Sequence, residues 1–468
     1  MFSIPNEKPN LVWLALVFLL ALMLRLLAFS LVATNPDKIY ANSDAYNYDN
    51  IATNLIRYHV FSADTQLPLT LDLERTPIYP GLLAVIFELT NHSAASVILF
   101  QILFGALTAL VCFVLTCELG FSNRPSALAA LIIAVDPLSI LTGNLLITEI
   151  LFTALLVTGI WLLVHYWQTR QIQWSVLSAI LLALAALTRP ISQFLPLVLV
   201  PLFFLAAQSI GVKQVSMSTV LFLVVSLGIT YTWAWRNYLT TDVWTISSIG
   251  DYNLIYYRAS EVLSKAEGMS LEEEQKKLEA SIKEQATQKH LDTSQIITLQ
   301  RQMALDIYRQ YPIQTIAMHV NGWGRVLFNP GLDIICGQVS LTSTTGDCRL
   351  DNPMGEEQGV LEKTLGKLRR MDLMALIVSA TSVILLGIIY LGAVIGVITL
   401  VKQHQWLALG LLLVLIGYFS ILAAGAEAVS RFRIPFLPFL AILSAIGIDA
   451  LLNRYIRKSQ EQSKYSQG

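Results

Sequence analysis

The sequence predicts an all-α polytopic membrane protein, a bundle of about ten transmembrane helices with a helical region outside the bilayer. Three observations carry this. Of the 468 residues, 55% are hydrophobic and only 13% charged, with a mean hydropathy of +0.60, whereas soluble domains average about 25% charged residues. Apolar runs of about 20 residues recur along the chain, the length that crosses a hydrocarbon core as a helix. These runs lack the strict apolar–polar alternation of a transmembrane β-barrel. The net charge of −1 provides no basic surface for nucleic acid.

The first span is expected over Leu11 to Ala33. It is too long for a signal peptide and has no small-residue cleavage site, so it reads as a retained helix. A polar loop, residues 34–92, follows. It carries Asp44, Asp49, Asp72, Glu74 and Arg75 among tyrosines. Its end, Thr76 to Thr90, is apolar but short after Pro77 and Pro80, which suits an interfacial helix or a re-entrant piece. Further spans are expected near Ser93–Leu119, Ser126–Leu141, Glu149–Trp167, Trp174–Leu187, Ile191–Gln208 and Val215–Trp235, then Asp372–Val401, Trp406–Ala424 and Pro435–Leu452. The chain thus divides into an N-terminal transmembrane module (1–235) with its first external loop (34–92), a mostly helical extracytoplasmic region (236–371), and C-terminal transmembrane helices with a cytoplasmic tail (372–468).

Within 236–371, Ser270 with Glu273 predicts a capping box that opens a charged helix, SLEEEQKKLEASIKEQ. A second helix, Asp292 to Tyr311, shows an apolar stripe at Ile296, Leu299, Met303 and Ile307. Pro312 ends it, and IQTIAMHVNGWGRVLFNPG reads as amphipathic helix on the membrane surface. These helices read as a cap on the membrane domain rather than as a separate enzyme. Gly392 and Gly396 read as a helix-packing motif.

Lys and Arg in short loops orient the chain. With the N-terminus inside, the cytoplasmic loops and tail hold Lys8, Arg124, Arg170, Lys213, Lys402, Arg454, Arg457 and Lys458. The first loop and the large polar region then share the opposite, extracytoplasmic side. Arg75, Arg189, Arg236, Arg431 and Arg433 fall there too. Cations at that face suit an anionic headgroup such as a lipid phosphate, although snorkelling and salt bridging place many juxtamembrane arginines. Cys112 and Cys117 lie in an apolar run and read as packing residues. Cys336 and Cys348 flank a polar segment, and on an oxidising side they are expected to form a disulfide.

No Walker sequence and no G-x-G-x-x-G after a strand is present, which argues against an ATP-driven pump and a soluble-type sugar-nucleotide transferase. Asp44 is the sharpest catalytic candidate. A carboxylate at the membrane surface can take a proton from an attacking hydroxyl, though Asp44 also precedes a plausible helix and could be its N-cap. Glu149 is second; it opens a span, where the helix dipole alone would favour a carboxylate. Asp136 lies mid-span before Pro137, and an ionisable group there is either functional or a satisfied helix break. Arg25 is the other mid-span charge. His59 reads as a solvated loop histidine.

Several segments resemble, in order, the GT-C glycosyltransferases, and within them the family of protein O-mannosyltransferases and aminoarabinose transferases. SDAYNYDNIATNL with ERTPIYPGLLAVI is similar to that family's first loop. NLLITEILFTALL, ALTRP, WAWRNYLTTDVWTISSIGDYNLIYYR, RQYPIQTIAMHVNGWGRVLFNPG and SRFRIPFLPFLAILSAIGI resemble its later motifs, so coverage is nearly the whole chain. The resemblance implies a GT-C type bundle, a polyprenyl-phosphate-linked sugar donor, a lipid, glycan or protein acceptor, and inversion at the anomeric carbon. It implies Asp44 and Glu149 as the catalytic acids and Arg75, Arg189, Arg431 and Arg433 as donor-phosphate candidates, with Tyr46 and Tyr79 in the pocket. No cofactor is certain. Some superfamily members bind a divalent metal through the first-loop acid, but this chain has a single Asp at that motif, so a metal is left open, with Asp44 its ligand if there is one. The rival readings are a lipid-linked sugar polymerase or ligase, and a transporter or flippase whose charges would line a path at mid-membrane.

Overall fold

The computed structural model describes residues 8–33, 35–339, 366 and 371–465. Among these residues all regular elements are helices, as a chain in lipid requires when its backbone bonds must close within each segment. The protein is an integral membrane helix bundle. Among the described residues six helices are long and apolar enough to cross a bilayer: α1 (Leu11–Val32), α4 (Ala94–Glu118), α7 (Glu149–Thr169), α10 (Val212–Thr241), α17 (Leu373–Lys402) and the stretch Leu437–Ile456 of α19. The shorter apolar helices Asn123–Val135, Ile172–Ala186, Pro190–Ala206 and Trp406–Leu422 fall at the remaining expected spans. Here α2 is Ser43–Tyr58, α3 Ile78–Thr90, α5 Asn123–Val135, α6 Pro137–Thr142, α8 Ile172–Ala186, α9 Leu195–Ile210 and α18 Trp406–Leu422; α19 is Leu437–Tyr465.

The expected continuous span Ser126–Leu141 is broken. Asp136 leaves helical geometry (ψ 114°) and caps α6, its carboxylate accepting the Ser139 N–H at 2.7 Å. Pro137 brings no N–H to satisfy. Arg25 of α1 occupies the same break. It donates to the carbonyls of Ala21, Ile133 and Ala134 at 3.2–3.3 Å and lies 3.4 Å from Ser139 Oγ. Gly105 on α4 leaves room for the guanidinium, since a Cβ there would lie 2.6 Å from Arg25 Nε. Both mid-span charges are therefore used in closing a helix break, and neither lines a path through the bundle.

The long α17 packs along α19 through glycine. A Cβ at Gly392 or Gly396 would collide with Ser444 or Leu443, and one at Gly447 with the α17 backbone, so Gly392 and Gly396 serve helix packing as expected.

Outside the bundle, α10 runs past Trp235 to Thr241. The chain then continues through α11 (Ile249–Tyr252), a π-helical stretch Asn253–Ala259, α12 (Ser260–Glu267), α13 (Leu271–Gln288), α14 (Thr293–Gln310), α15 (Pro312–Phe328) and α16 (Leu332–Val339). Capping boxes open α13 (Ser270 with Glu273) and α14 (Asp292 with Gln295). Ile255, Ala259, Leu263, Leu278, Ile282 and Ala304 form a small core, against which Ile296, Leu299, Met303 and Ile307 pack. α16 is tied to the first loop by a reciprocal pair: Lys38 Nζ donates to Gln338 O at 3.0 Å, and Gln338 Nε2 to Lys38 O at 2.7 Å. Cys112 and Cys117 are free and buried. Cys336 is buried and disulfide-bonded; Cys348, its expected partner, lies outside the described residues.

Candidate active site

The site starts at the head of α2. Asn42, not Asp44, caps this helix, accepting the Asp44 N–H at 2.9 Å. That leaves the Asp44 carboxylate in the first turn, where the helix dipole favours an anion, with its side chain 36% exposed. Its Oδ1 lies 3.2 Å from Arg75 Nη2, and its Oδ2 lies 3.2 Å from Arg431 Nη2.

Each arginine has a local reason for its place. Asp72 Oδ1 accepts from the backbone of Glu74 (3.0 Å) and of Arg75 (2.7 Å), a turn that aims Arg75 inward. Arg75 Nη1 also meets Glu74 Oε2 at 2.8 Å. Arg431 sits on a short 3-10 turn, Ser430–Arg433, with its guanidinium 5.7 Å from the Phe432 ring centroid. Arg189 precedes Pro190, where α8 has ended, and lies 5.3 Å from the same ring.

Glu149 is the second carboxylate. It opens α7 and is 1% exposed. Its Oε1 lies 2.8 Å from Arg189 Nη1 and 3.4 Å from Arg431 Nε. Neither oxygen has a partner in hydrogen-bond geometry, so the contacts are ionic without directed bonds. Arg189 Nη1 instead donates to Thr148 Oγ1 at 2.9 Å. Arg431 thus bridges the two carboxylates.

Burial, the largest single influence on Asp44, would raise its pKa. The guanidiniums of Arg431, Arg75 and Arg189 together outweigh burial and hold it below the ordinary 3.8. Tyr48, one helical turn after Asp44, is pushed up to about 12 by burial and then by the Asp44 charge. It stays a neutral donor, packed 5.8 Å under Arg75 and edge-on to Tyr79. Arg431 Nη1 and Arg75 Nε are buried without a hydrogen-bond partner. Donors left unmade at this position suit an incoming anion.

Asp44, Glu149, Arg75, Arg189 and Arg431 are brought together. Tyr79 is fully buried below them, its hydroxyl donating to Gln101 Oε1 at 2.7 Å. Tyr46 is not part of the cluster; it is 53% exposed, its ring tilted against that of Tyr40 at 5.1 Å. Arg433 is also elsewhere: its Nη1 donates to the carbonyls of Val326, Leu327 and Asn329 at 2.9–3.1 Å, at the end of α15. Sequence reasoning passed over Tyr48, and noted Glu74 in the first loop without giving it a role. Tyr48 carried a usable signal, since residues four apart share a helix face. His59 is the α2 C-cap in left-handed geometry.

A divalent cation does not fit this donor set. Both Asp44 oxygens already meet guanidiniums, and Arg75, Arg189 and Arg431 surround the space a cation would need. Among the described residues no group of three or more His, Cys, Asp or Glu converges.

The family model described as dolichyl-phosphate-mannose-protein mannosyltransferase matches residues 74–235. That stretch contains Arg75, Glu149 and Arg189 and leaves Asp44 and Arg431 outside. The archaeal oligosaccharyltransferase AglB from Archaeoglobus fulgidus, solved with an inhibitory peptide and a dolichol-phosphate, superposes with a TM-score of 0.55 at 14% identity. The alignment covers 97% of this chain and 51% of that one. This is a GT-C fold. The apo form of the Archaeoglobus fulgidus oligosaccharyltransferase aligns with this chain at TM-score 0.53 and 14% identity, covering 97% of this chain and 52% of its own. The chain thus spans about half the length of these proteins. ArnT from Cupriavidus metallidurans aligns at 13% identity over 86% of this chain and 72% of its own, with a TM-score of 0.35, too loose a superposition to carry an argument. A search among curated proteins finds no match.

Proposed function

We propose that this GT-C chain is an inverting membrane glycosyltransferase that moves a sugar from a polyprenyl-phosphate donor to an acceptor hydroxyl on the extracytoplasmic side. The observation that carries the reading is Asp44 held between Arg75 and Arg431, with Arg431 also reaching Glu149. The matched family model is described by a dolichyl-phosphate-mannose donor, and AglB was solved with a dolichol-phosphate. The acceptor belongs to the lipid, glycan or protein class, and membrane lipids surround the rest of the chain.

In this reading the donor is a phosphodiester with one negative charge. Arg431 Nη1 and Arg75 Nε, which lack protein partners, and Arg189 meet its phosphate oxygens. Asp44 accepts a hydrogen bond from the acceptor hydroxyl and orients its oxygen toward the anomeric carbon. The acceptor oxygen–C1 bond forms on the face opposite the breaking C1–O bond to phosphate, so the configuration inverts. The hydroxyl proton passes to Asp44 and on to water, and the phosphate leaves as a monoester on the polyprenol. Charge growing on that leaving group is where fixed guanidiniums help most. Glu149 keeps Arg189 and Arg431 in place and balances them while the site is empty.

The test is transfer from polyprenyl phosphates carrying a labelled sugar to membrane acceptors, with wild type and Asp44→Asn at matched expression. Transfer in wild type with inverted configuration, lost in the variant, is the expected result. Full activity in Asp44→Asn would remove Asp44 from the mechanism.

A further inference from the structure

The segment from Ser247 to Arg258 bridges the two loops that hold Asp44. At one end, Ser248 N donates to Leu73 O at 2.8 Å and the Ser247 hydroxyl donates to Glu74 O, next to Arg75. At the other, Arg258 Nε donates to both carboxylate oxygens of Glu427 at 3.0 and 3.1 Å, in the loop leading to Arg431. That second anchor is tight. A Cβ on Gly425 would lie 2.6 Å from Arg258 Nε, and one on Gly322 of α15 would lie 2.5 Å from the Gly425 nitrogen. Between the anchors the chain is π-helical over Asn253–Ala259, a rare geometry that re-aims side chains and recurs at functional sites.

The two adjacent tyrosines of this stretch go opposite ways. Tyr256 packs into the core with Ile255 and Ala259; its carbonyl accepts from Gln275 at 2.6 Å and its hydroxyl from Gln300 at 3.3 Å. Tyr257 instead packs beside Met318 of α15 and Ala426, in the loop leading to Arg431. Its hydroxyl feels the charges of Asp44, Glu427, Glu74 and Arg75, and among the described residues no hydrogen bond holds it. The ring of Tyr252 lies 6.0 Å away, edge-on, and is 39% exposed.

We infer that Tyr257, carried on this bridge and backed by Tyr252, is the wall against which the donor's sugar ring lies, and so a specificity-determining residue. This rests on the proposed function. A phosphate on Arg75 and Arg431 puts the anomeric carbon beside Asp44, and the bridge joins the loops bearing those arginines. A hexose or pentose offers apolar C–H faces and hydroxyl edges. An aromatic face with a free phenol matches both, as do the aromatic linings of small-molecule sites generally.

The test is binding to the purified full-length protein in nanodiscs, by displacement of a fluorescent polyprenyl phosphate. The competitors are the methyl ester of polyprenyl phosphate, a bare lipid with the donor's single negative charge and no sugar, and the same lipid carrying mannose, glucose, galactose or aminoarabinose. Wild type is expected to bind at least one sugar-bearing lipid about tenfold more tightly than the bare lipid, an increment typical of a good pocket contact. Tyr257→Ala is expected to erase that increment and leave bare-lipid affinity unchanged, whereas Tyr257→Phe keeps most of it. Tyr256→Ala, which damages the same π-helix on its other face, serves as the folding control and keeps the increment. An increment that survives Tyr257→Ala, or its loss in Tyr256→Ala to the same degree, overturns the inference. So does a wild type that prefers none of the sugars over the bare lipid. Failure to bind even the bare lipid would instead overturn the proposed function.

Discussion

Arg431 and Asp44 are 387 residues apart in the chain and 3.2 Å apart in the fold. The same guanidinium places its Nε 3.4 Å from Glu149. One side chain from the Ser430–Arg433 turn therefore joins the head of α2 to the head of α7, and the site closes only when segments from both halves of the chain have packed.

Asp44→Asn keeps shape and removes charge. Transfer is expected to fall by about 10²–10⁴, the range for a positioned acid–base group, with a lowered thermal midpoint because the ion pairs to Arg75 and Arg431 are lost, although α2 itself keeps its Asn42 cap. Initial rates and a melting curve on the same preparation check both halves.

Glu149→Gln leaves Arg189 and Arg431 facing a neutral group. Removing one partner of a buried pair costs about 3–5 kcal/mol, and Glu149 is 1% exposed. A clear drop in thermal midpoint is expected along with lost transfer, and added polyprenyl phosphate is expected to recover part of the midpoint by supplying the missing anion. No recovery with lipid would argue against a phosphate site here.

The pH profile has a defined sign. The pKa of Asp44 is depressed in the folded state below its ordinary 3.8. Its ionised form and the stability linked to it are therefore fully present above that ordinary value and are lost only as pH falls through the lower folded one. Transfer is expected to show no Asp44 inflection between pH 5 and 8. In Arg431→Gln the largest opposing charge is gone, burial is less opposed, and the acid limb is expected to move upward. The residual activity of that variant, followed from pH 3 to 8, shows whether it does.

Arg433→Met is expected to act through stability. It strands the carbonyls of Val326, Leu327 and Asn329, at about 1–3 kcal/mol for each buried acceptor that finds no water. A lowered midpoint with unchanged bare-lipid affinity in the folded fraction is the expected pattern. Selective loss of lipid binding at an unchanged midpoint would return Arg433 to the phosphate side.

Gly396→Leu is expected to separate α17 from α19, because the added side chain meets the Leu443 backbone. Overpacking of this kind costs typically about 1–3 kcal/mol, and more where the obstacle is backbone. The melting curve of the purified variant checks it.

The membrane bundle was legible in the sequence because hydropathy is a one-dimensional signal: a run of about 20 apolar residues must become a helix in lipid whatever its neighbours do. Helix starts were legible for the same local reason, as at Ser270 and Asp292, where cap and third residue bond within one turn. Asp44, Glu149, Arg75, Arg189 and Arg431 could be nominated from composition and resemblance alone. Which of them meet was a tertiary matter. Tyr46 and Tyr48 differ by two positions on α2, about 200° around a helix, and only the second shares Asp44's face. Arg431 and Arg433 differ by two on a 3-10 turn, about 240°. One turns to the carboxylates and the other to the end of α15, a helix more than 100 residues earlier. Asp136 read as either functional or a satisfied helix break, and Arg25 only as a second mid-span charge, until the fold put both at a single break. Long-range electrostatic pairing depends on the three-dimensional approach of segments, and no local pattern encodes it.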